Sequence, residues 1–157
     1  MNFDGKQILS TFVKMEEEVT KYYAELAENA PDEKSKALFA RMSQEEDKHN
    51  RMYTALLEKH GGEMTREFSE EEVEYVKSLI EENITSKHEF DKNMKYADSL
   101  LLAERMEKDG ILFVHQMMGM YPDIAQKEMN VILNEEKKHL MMVRERMQFG
   151  PLRSLGL

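Results

Sequence analysis

The run Glu45-Glu46-Asp47-Lys48-His49 returns later in the chain as Glu135-Glu136-Lys137-Lys138-His139. In each copy a glutamate and a histidine stand three positions apart, which on a helix places a carboxylate and an imidazole on one face, one turn from each other. Both side chains can then reach one ion, and the chemistry they suit is that of a divalent metal. The spacing is weak evidence by itself. With 24 Glu among 157 residues, the five His would meet a Glu three positions back roughly 0.8 times by chance, and two do. The elements that carry these residues must decide.

Apolar residues recur at helical spacing through four stretches. Between about residues 5 and 29 they fall at Phe12, Val19, Tyr23 and Leu26, with Glu16 in the same stripe. Ala30-Pro31-Asp32 breaks this helix, and Asp32 is placed to cap the next, which is expected over about 33–59. Its stripe is Phe39, Met42, Glu46, His49, Tyr53 and Leu56, so Glu46 and His49 occupy seam positions of a bundle. Gly61-Gly62 ends it, and His60 reads as a solvated last-turn residue favoured by the helix dipole.

A crossover over 61–94 follows, too long for a tight hairpin, with the capping box Ser69 and Glu72 ahead of Val73, Val76 and Ile80. A short helix is expected there, with His88 in its polar exit. The third helix, about 95–118, carries Leu100, Ala103, Glu107, Ile111, Val114 and Met118, and His115 beside that stripe is expected to pack or to support a ligand. Tyr121-Pro122 separates it from the fourth, about 122–148, where Pro122 would sit in the first turn and Met129, Ile132, Glu136, His139 and Val143 align. A poorly ordered tail is expected over 151–157.

Composition agrees with an all-α domain over 1–150: the chain is 41% hydrophobic and 34% charged, with 7 Gly and 3 Pro. A net charge of −9 argues against nucleic acid or an anionic membrane as partner. There is no cysteine, which excludes disulfides and thiolate metal sites and leaves carboxylate and imidazole as strong ligands. A reducing cytoplasm is the expected compartment, since no leader or membrane-spanning run is seen.

The two halves repeat one another. Glu16 precedes Glu46 by 30 residues and Glu107 precedes Glu136 by 29, with Met15-Glu16 echoed by Met106-Glu107. A duplicated helix hairpin explains this and predicts a bundle with two equivalent half-sites. Glu17, Glu18, Glu28, Glu70, Glu71, Glu72 and Glu135 read as solvated acids. Glu16, Glu46, Glu107 and Glu136 do not, because carboxylates inside an apolar bundle would each cost several kcal/mol unless neutralised. Two divalent cations would offset them. Oxygen ligands with one histidine per ion suit iron or manganese, and zinc could occupy the same place.

One Glu from each of two helices with Glu-x-x-His from two others resembles the ferritin-like diiron carboxylate proteins. In particular the chain resembles the rubrerythrin type, through Lys14-Met15-Glu16 with Tyr22-Tyr23, the two Glu-Glu-x-x-His runs, and Arg105-Met106-Glu107 with Phe113. The resemblance implies a ferritin-like four-helix bundle with a long crossover between its second and third helices. It implies two iron ions, with Glu46 and Glu136 bridging, Glu16 and Glu107 terminal, and His49 and His139 on one ion each. These four carboxylates would also be the catalytic groups, and Tyr23 would lie beside the centre. Two departures stand out. Gly110 occupies the position where rubrerythrins proper carry a further glutamate, and without cysteine the chain cannot hold their rubredoxin domain. Val114 also stands where the repeat would place a counterpart of Tyr23.

The implied activity is a diiron oxidoreductase acting on peroxide or dioxygen, working as a homodimer, with electrons from an external donor such as a rubredoxin-like protein. The alternative is ferritin-like Fe(II) oxidation for iron handling, without peroxide turnover.

Overall fold

The computed structural model describes residues 5–64, 68–75, 78 and 94–149. Four long helices account for most of them: α1 (Gly5–Glu28), α2 (Glu33–His60), α3 (Tyr96–Met120) and α4 (Gln126–Phe149). Among the described residues there is no strand, and residues 70–75 add a short helical stretch. The expected tail, together with Val76, Ile80 and His88, lies outside the described residues.

Local chemistry sets the helix ends. Asp32 caps α2 by accepting from the Ser35 amide at 2.9 Å and from the Ser35 hydroxyl at 2.8 Å. Such a cap contributes about 1 kcal/mol. Arg146, almost fully buried on α4, donates to the same Asp32 carboxylate at 2.8 Å and so pins the start of α2 to the far helix. The capping box forms as the sequence predicts: the Ser69 amide donates to Glu72 at 2.9 Å and the Glu72 amide to Ser69 Oγ at 3.2 Å.

One boundary differs from expectation. α3 runs on to Met120 and α4 starts only at Gln126, so Pro122 lies in the turn and not in the first turn of α4. The Tyr121 carbonyl accepts from the Ile124 amide at 3.1 Å and from the Gln126 side chain at 2.9 Å. Ala125 takes a positive φ of 51° to turn the chain into α4. These bonds satisfy the end of α3 in a way that a helix beginning at Pro122 could not.

α1 packs on α2 and α3 on α4 as two helical hairpins. Their apolar residues form two separate clusters. One holds Leu9, Phe12, Tyr53, Leu56, Phe113, Val114, Met117, Met129 and Ile132. The other holds Tyr22, Tyr23, Leu26, Phe39, Met42, Leu100, Ala103 and Val143. Between them every helix contributes the buried polar residues Glu16, Glu46 and His49, Glu107, or Glu136 and His139. The bundle is therefore a polar layer held between two apolar ones. Each fully buried large side chain contributes about 1.5–3 kcal/mol, and it is these clusters that oppose the cost of the layer between them.

The order of the clusters along each helix gives the topology. α1 and α4 run from the first cluster to the second, while α2 and α3 run from the second to the first. α2 and α3 are thus parallel, and the connection between them starts at one end of the bundle and finishes at the other. Gly5 closes the first end: its amide donates to the Met64 carbonyl at 3.1 Å, and a Cβ there would meet the Met64 Cβ at 2.6 Å and the Tyr121 ring. Only glycine fits that approach. No helix among the described residues is long and apolar enough to cross a membrane.

Candidate metal centre

All six residues singled out by the repeat lie in the polar layer. Glu46, His49, Glu136 and His139 bring ligand atoms within 4.8 Å of one another, and Glu16 and Glu107 join them, each at most 6% exposed. Seam spacing put them there. On α2 the whole stripe Phe39, Met42, Glu46, His49, Tyr53 and Leu56 is buried, so the polar pair cannot avoid the bundle axis.

Glu46 occupies the middle. Its Oε2 lies 2.9 Å from His49 Nδ1 and its Oε1 lies 2.7 Å from His139 Nδ1, so a single carboxylate spans both histidines. Glu136 approaches His49 Nδ1 at 3.1 Å, and Glu107 approaches His139 Nδ1 at 3.7 Å. Glu16 faces Glu46, Glu136 and His49. Each hairpin therefore brings one carboxylate from its first helix, and a carboxylate with an imidazole from its second, into the same layer.

Electrostatics shows what the layer does without an ion. Burial, with the charges of Glu46 and Glu136 beside it, pushes the Glu16 and Glu107 carboxyls well above the ordinary range. Glu136 is raised as well, by burial and then by Glu46. Burial also acts to raise Glu46, but the close imidazoles of His139 and His49 outweigh it and hold this carboxyl down to about 2. Burial disfavours a charged His49, yet the carboxylates of Glu136 and Glu46 outweigh it and push the ring up to about 12. His139 moves the same way for the same reason. A proton held here would stand in for the positive charge that the crowded carboxylates call for.

That substitution is imperfect. Glu46 Oε1, Glu107 Oε2 and His139 Nδ1 are buried without an aligned hydrogen bond, although the first and third are only 2.7 Å apart. Buried polar atoms left so are uncommon and costly, and oxygens facing an imidazole nitrogen are the donor set a hard or borderline divalent ion takes. The residues fit a metal pair.

The layer is not symmetric. Tyr23, fully buried, donates its hydroxyl to Glu107 Oε1 on the opposite hairpin. The resemblance implies Tyr23 beside the centre, and the structure pairs its hydroxyl with Glu107 of the other hairpin. Burial raises the phenol, and Glu107 raises it further. Tyr53 is buried near Glu16 and stacked on Phe12 at 5.4 Å.

The family model described as Rubrerythrin matches residues 7–147. The chain belongs to the rubrerythrin family. Comparison with curated proteins finds no matching relative. The family and the Glu/His cluster together point to a dinuclear metal site in this rubrerythrin domain.

Three expectations need correction, the third of them at the site itself. His115 is exposed and takes no part in the centre. His60 is not freely solvated: its side chain is 16% exposed, and Nδ1 lies 3.3 Å from Glu63. Glu135, read as a solvated acid, instead accepts from His49 Nε2 at 2.8 Å, and Glu45 accepts from His139 Nε2 at 2.8 Å. A signal for both was present, since each copy of the motif begins with two glutamates.

Proposed function

We propose that this rubrerythrin is a non-haem diiron oxidoreductase that reduces peroxide or dioxygen with electrons from an external donor. The observation that carries the reading is the position of Glu46, whose two oxygens each face one histidine Nδ1. A carboxylate so held suits a bridge between two adjacent ions. Glu136 would be the second bridge, Glu16 and Glu107 the terminal ligands, and His49 and His139 would serve one ion each. When bound, two ferrous ions supply one electron each to the oxidant. Manganese fits the same donors, and zinc would fill them without redox chemistry.

The protein's own groups do the rest. The apolar clusters on either side exclude water from the layer, which strengthens every interaction within it. Glu46 and Glu136 would hold the ions from the centre of the layer and offset their charge. The Tyr23 hydroxyl holds Glu107 in place and keeps a proton beside the centre. The 157 residues contain no cysteine, so no thiolate-bound iron within them can return electrons, and a donor such as a rubredoxin-like protein must supply them.

Stopped-flow oxidation of the diferrous protein by peroxide and by dioxygen tests this. Single turnover should be fast, and sustained peroxide consumption should scale with added reduced donor. Retention of many ferric ions per chain, with no peroxide consumed when donor is present, would favour iron handling.

A further inference from the structure

Glu45 and Glu135 lie outside the six residues assigned to the ions, yet both turn inward. Glu45, 21% exposed on α2, accepts from His139 Nε2 on α4 at 2.8 Å. Glu135, 40% exposed on α4, accepts from His49 Nε2 on α2 at 2.8 Å. The two bonds cross: each carboxylate serves the histidine of the other hairpin, at equivalent positions of the repeat. Glu45 already has a local partner, since its Oε1 accepts from Arg41 at 3.0 Å, so its second oxygen was free to stay in solvent and does not.

We propose that Glu45 and Glu135 are positioning residues that fix the tautomer of the opposite histidine and present its Nδ1 to the metal. An ionised carboxylate only accepts hydrogen bonds, so the ring nitrogen facing it must carry hydrogen. With Nε2 committed in this way, a neutral imidazole has its lone pair at Nδ1, the atom that faces Glu46 in both halves. The partner also holds the ring plane, as supporting carboxylates do for metal-bound histidines generally. Because the ties cross between hairpins, they also register α2 against α4 at the level of the layer. Both carboxylates and His139 border a surface groove of about 590 Å³, so these supports sit between the buried centre and solvent.

The inference rests on the dinuclear-metal reading, and the test separates the two. The native chain, Glu45→Ala, Glu135→Ala and the corresponding Gln variants are loaded with zinc(II), a diamagnetic probe. Affinity is read by chelator competition, and the histidine nitrogens by ¹⁵N NMR. In the native chain His49 and His139 should both show a metal-bound Nδ1 and a protonated Nε2. Glu45→Ala should disturb the His139 signature and leave that of His49, Glu135→Ala should do the reverse, and each should lower zinc affinity about 10- to 100-fold. Glutamine, which can still accept at Nε2, should restore most of the affinity and the native signature. Alanine variants that leave both histidines unchanged, or disturb both alike, would overturn the inference. So would Gln variants as weak as Ala, since charge alone would then be at work. Failure of the native chain to bind zinc, iron or manganese would overturn the metal reading beneath it.

Discussion

The Tyr23 hydroxyl on α1 donates to Glu107 Oε1 on α3, across the two hairpins. The repeat offset of 91 residues that relates Glu16 to Glu107 relates Tyr23 to Val114, which is buried and has no hydroxyl to offer. Glu107 therefore has a phenol donor that the repeat does not supply to its counterpart Glu16. Tyr23→Phe should leave a buried carboxylate oxygen unpaired and cost about 1–3 kcal/mol, seen as a lower urea midpoint for the metal-free protein. In the iron-loaded protein, Mössbauer spectra should show two distinct iron environments that draw closer in the variant. Identical spectra before and after the change would mean that the phenol does not distinguish the halves.

The metal-free protein should lose stability as pH rises. The Glu16, Glu107 and Glu136 carboxyls have folded values raised above their unfolded ones, so their contribution is complete below the ordinary carboxyl range and is lost as pH rises through the folded values. His49, raised to about 12, and His139 act in the same direction from the ordinary histidine range upward. Glu46, at about 2, adds stability that is present above the ordinary carboxyl range and is lost as pH falls from there through about 2. The metal-free protein should therefore melt at lower temperature at pH 8 than at pH 5. Metal binding displaces these protons, so the rise in melting temperature on adding Mn(II) or Zn(II) should grow over the same interval. Melting curves with chelator and with metal at both pH values give the comparison, and a metal effect that shrinks toward pH 8 would contradict the proton inventory of the layer.

Gly110 faces Glu136: a Cβ placed on it would lie 3.4 Å from the Glu136 carboxyl carbon, an ordinary contact. The backbone thus accepts a Cβ at this position, directly against the Glu136 carboxyl. Gly110→Glu should lower the melting temperature of the metal-free protein near neutral pH, because another carboxyl joins a crowded layer. With iron bound it should sharpen the preference for peroxide over dioxygen in stopped-flow oxidation. Strong peroxide selectivity in the native chain, unchanged by the substitution, would show that this position does not set the preference.

The sequence made the layer legible because seam positions on α2 and α4 are unambiguous: every residue of the α2 stripe from Phe39 to Leu56, and of the α4 stripe from Met129 to Val143, is buried. α3 was harder. Its apolar residues are dense enough to permit neighbouring stripes, and packing buried Phe113 and Met117 while leaving Ile111 and Met118 partly covered. That choice also turned His115 outward. Glu135 escaped because it sits one residue, about 100° of helix, from the seam, and periodicity does not see a long side chain reaching back across it. The late start of α4 depends on Gln126 binding the Tyr121 carbonyl, a pairing that helix-end signals do not encode.

Glu46 and Glu136 should together hold two ions in one centre. Calorimetric titration of the metal-free protein with Fe(II) under anaerobic conditions, for the native chain and for the Glu46→Ala/Glu136→Ala variant, tests it most directly. Two equivalents per chain should bind to the native protein, and the double variant should lose the pair while its helical circular dichroism persists. Two tightly bound equivalents in the double variant would show that these carboxylates do not hold the pair.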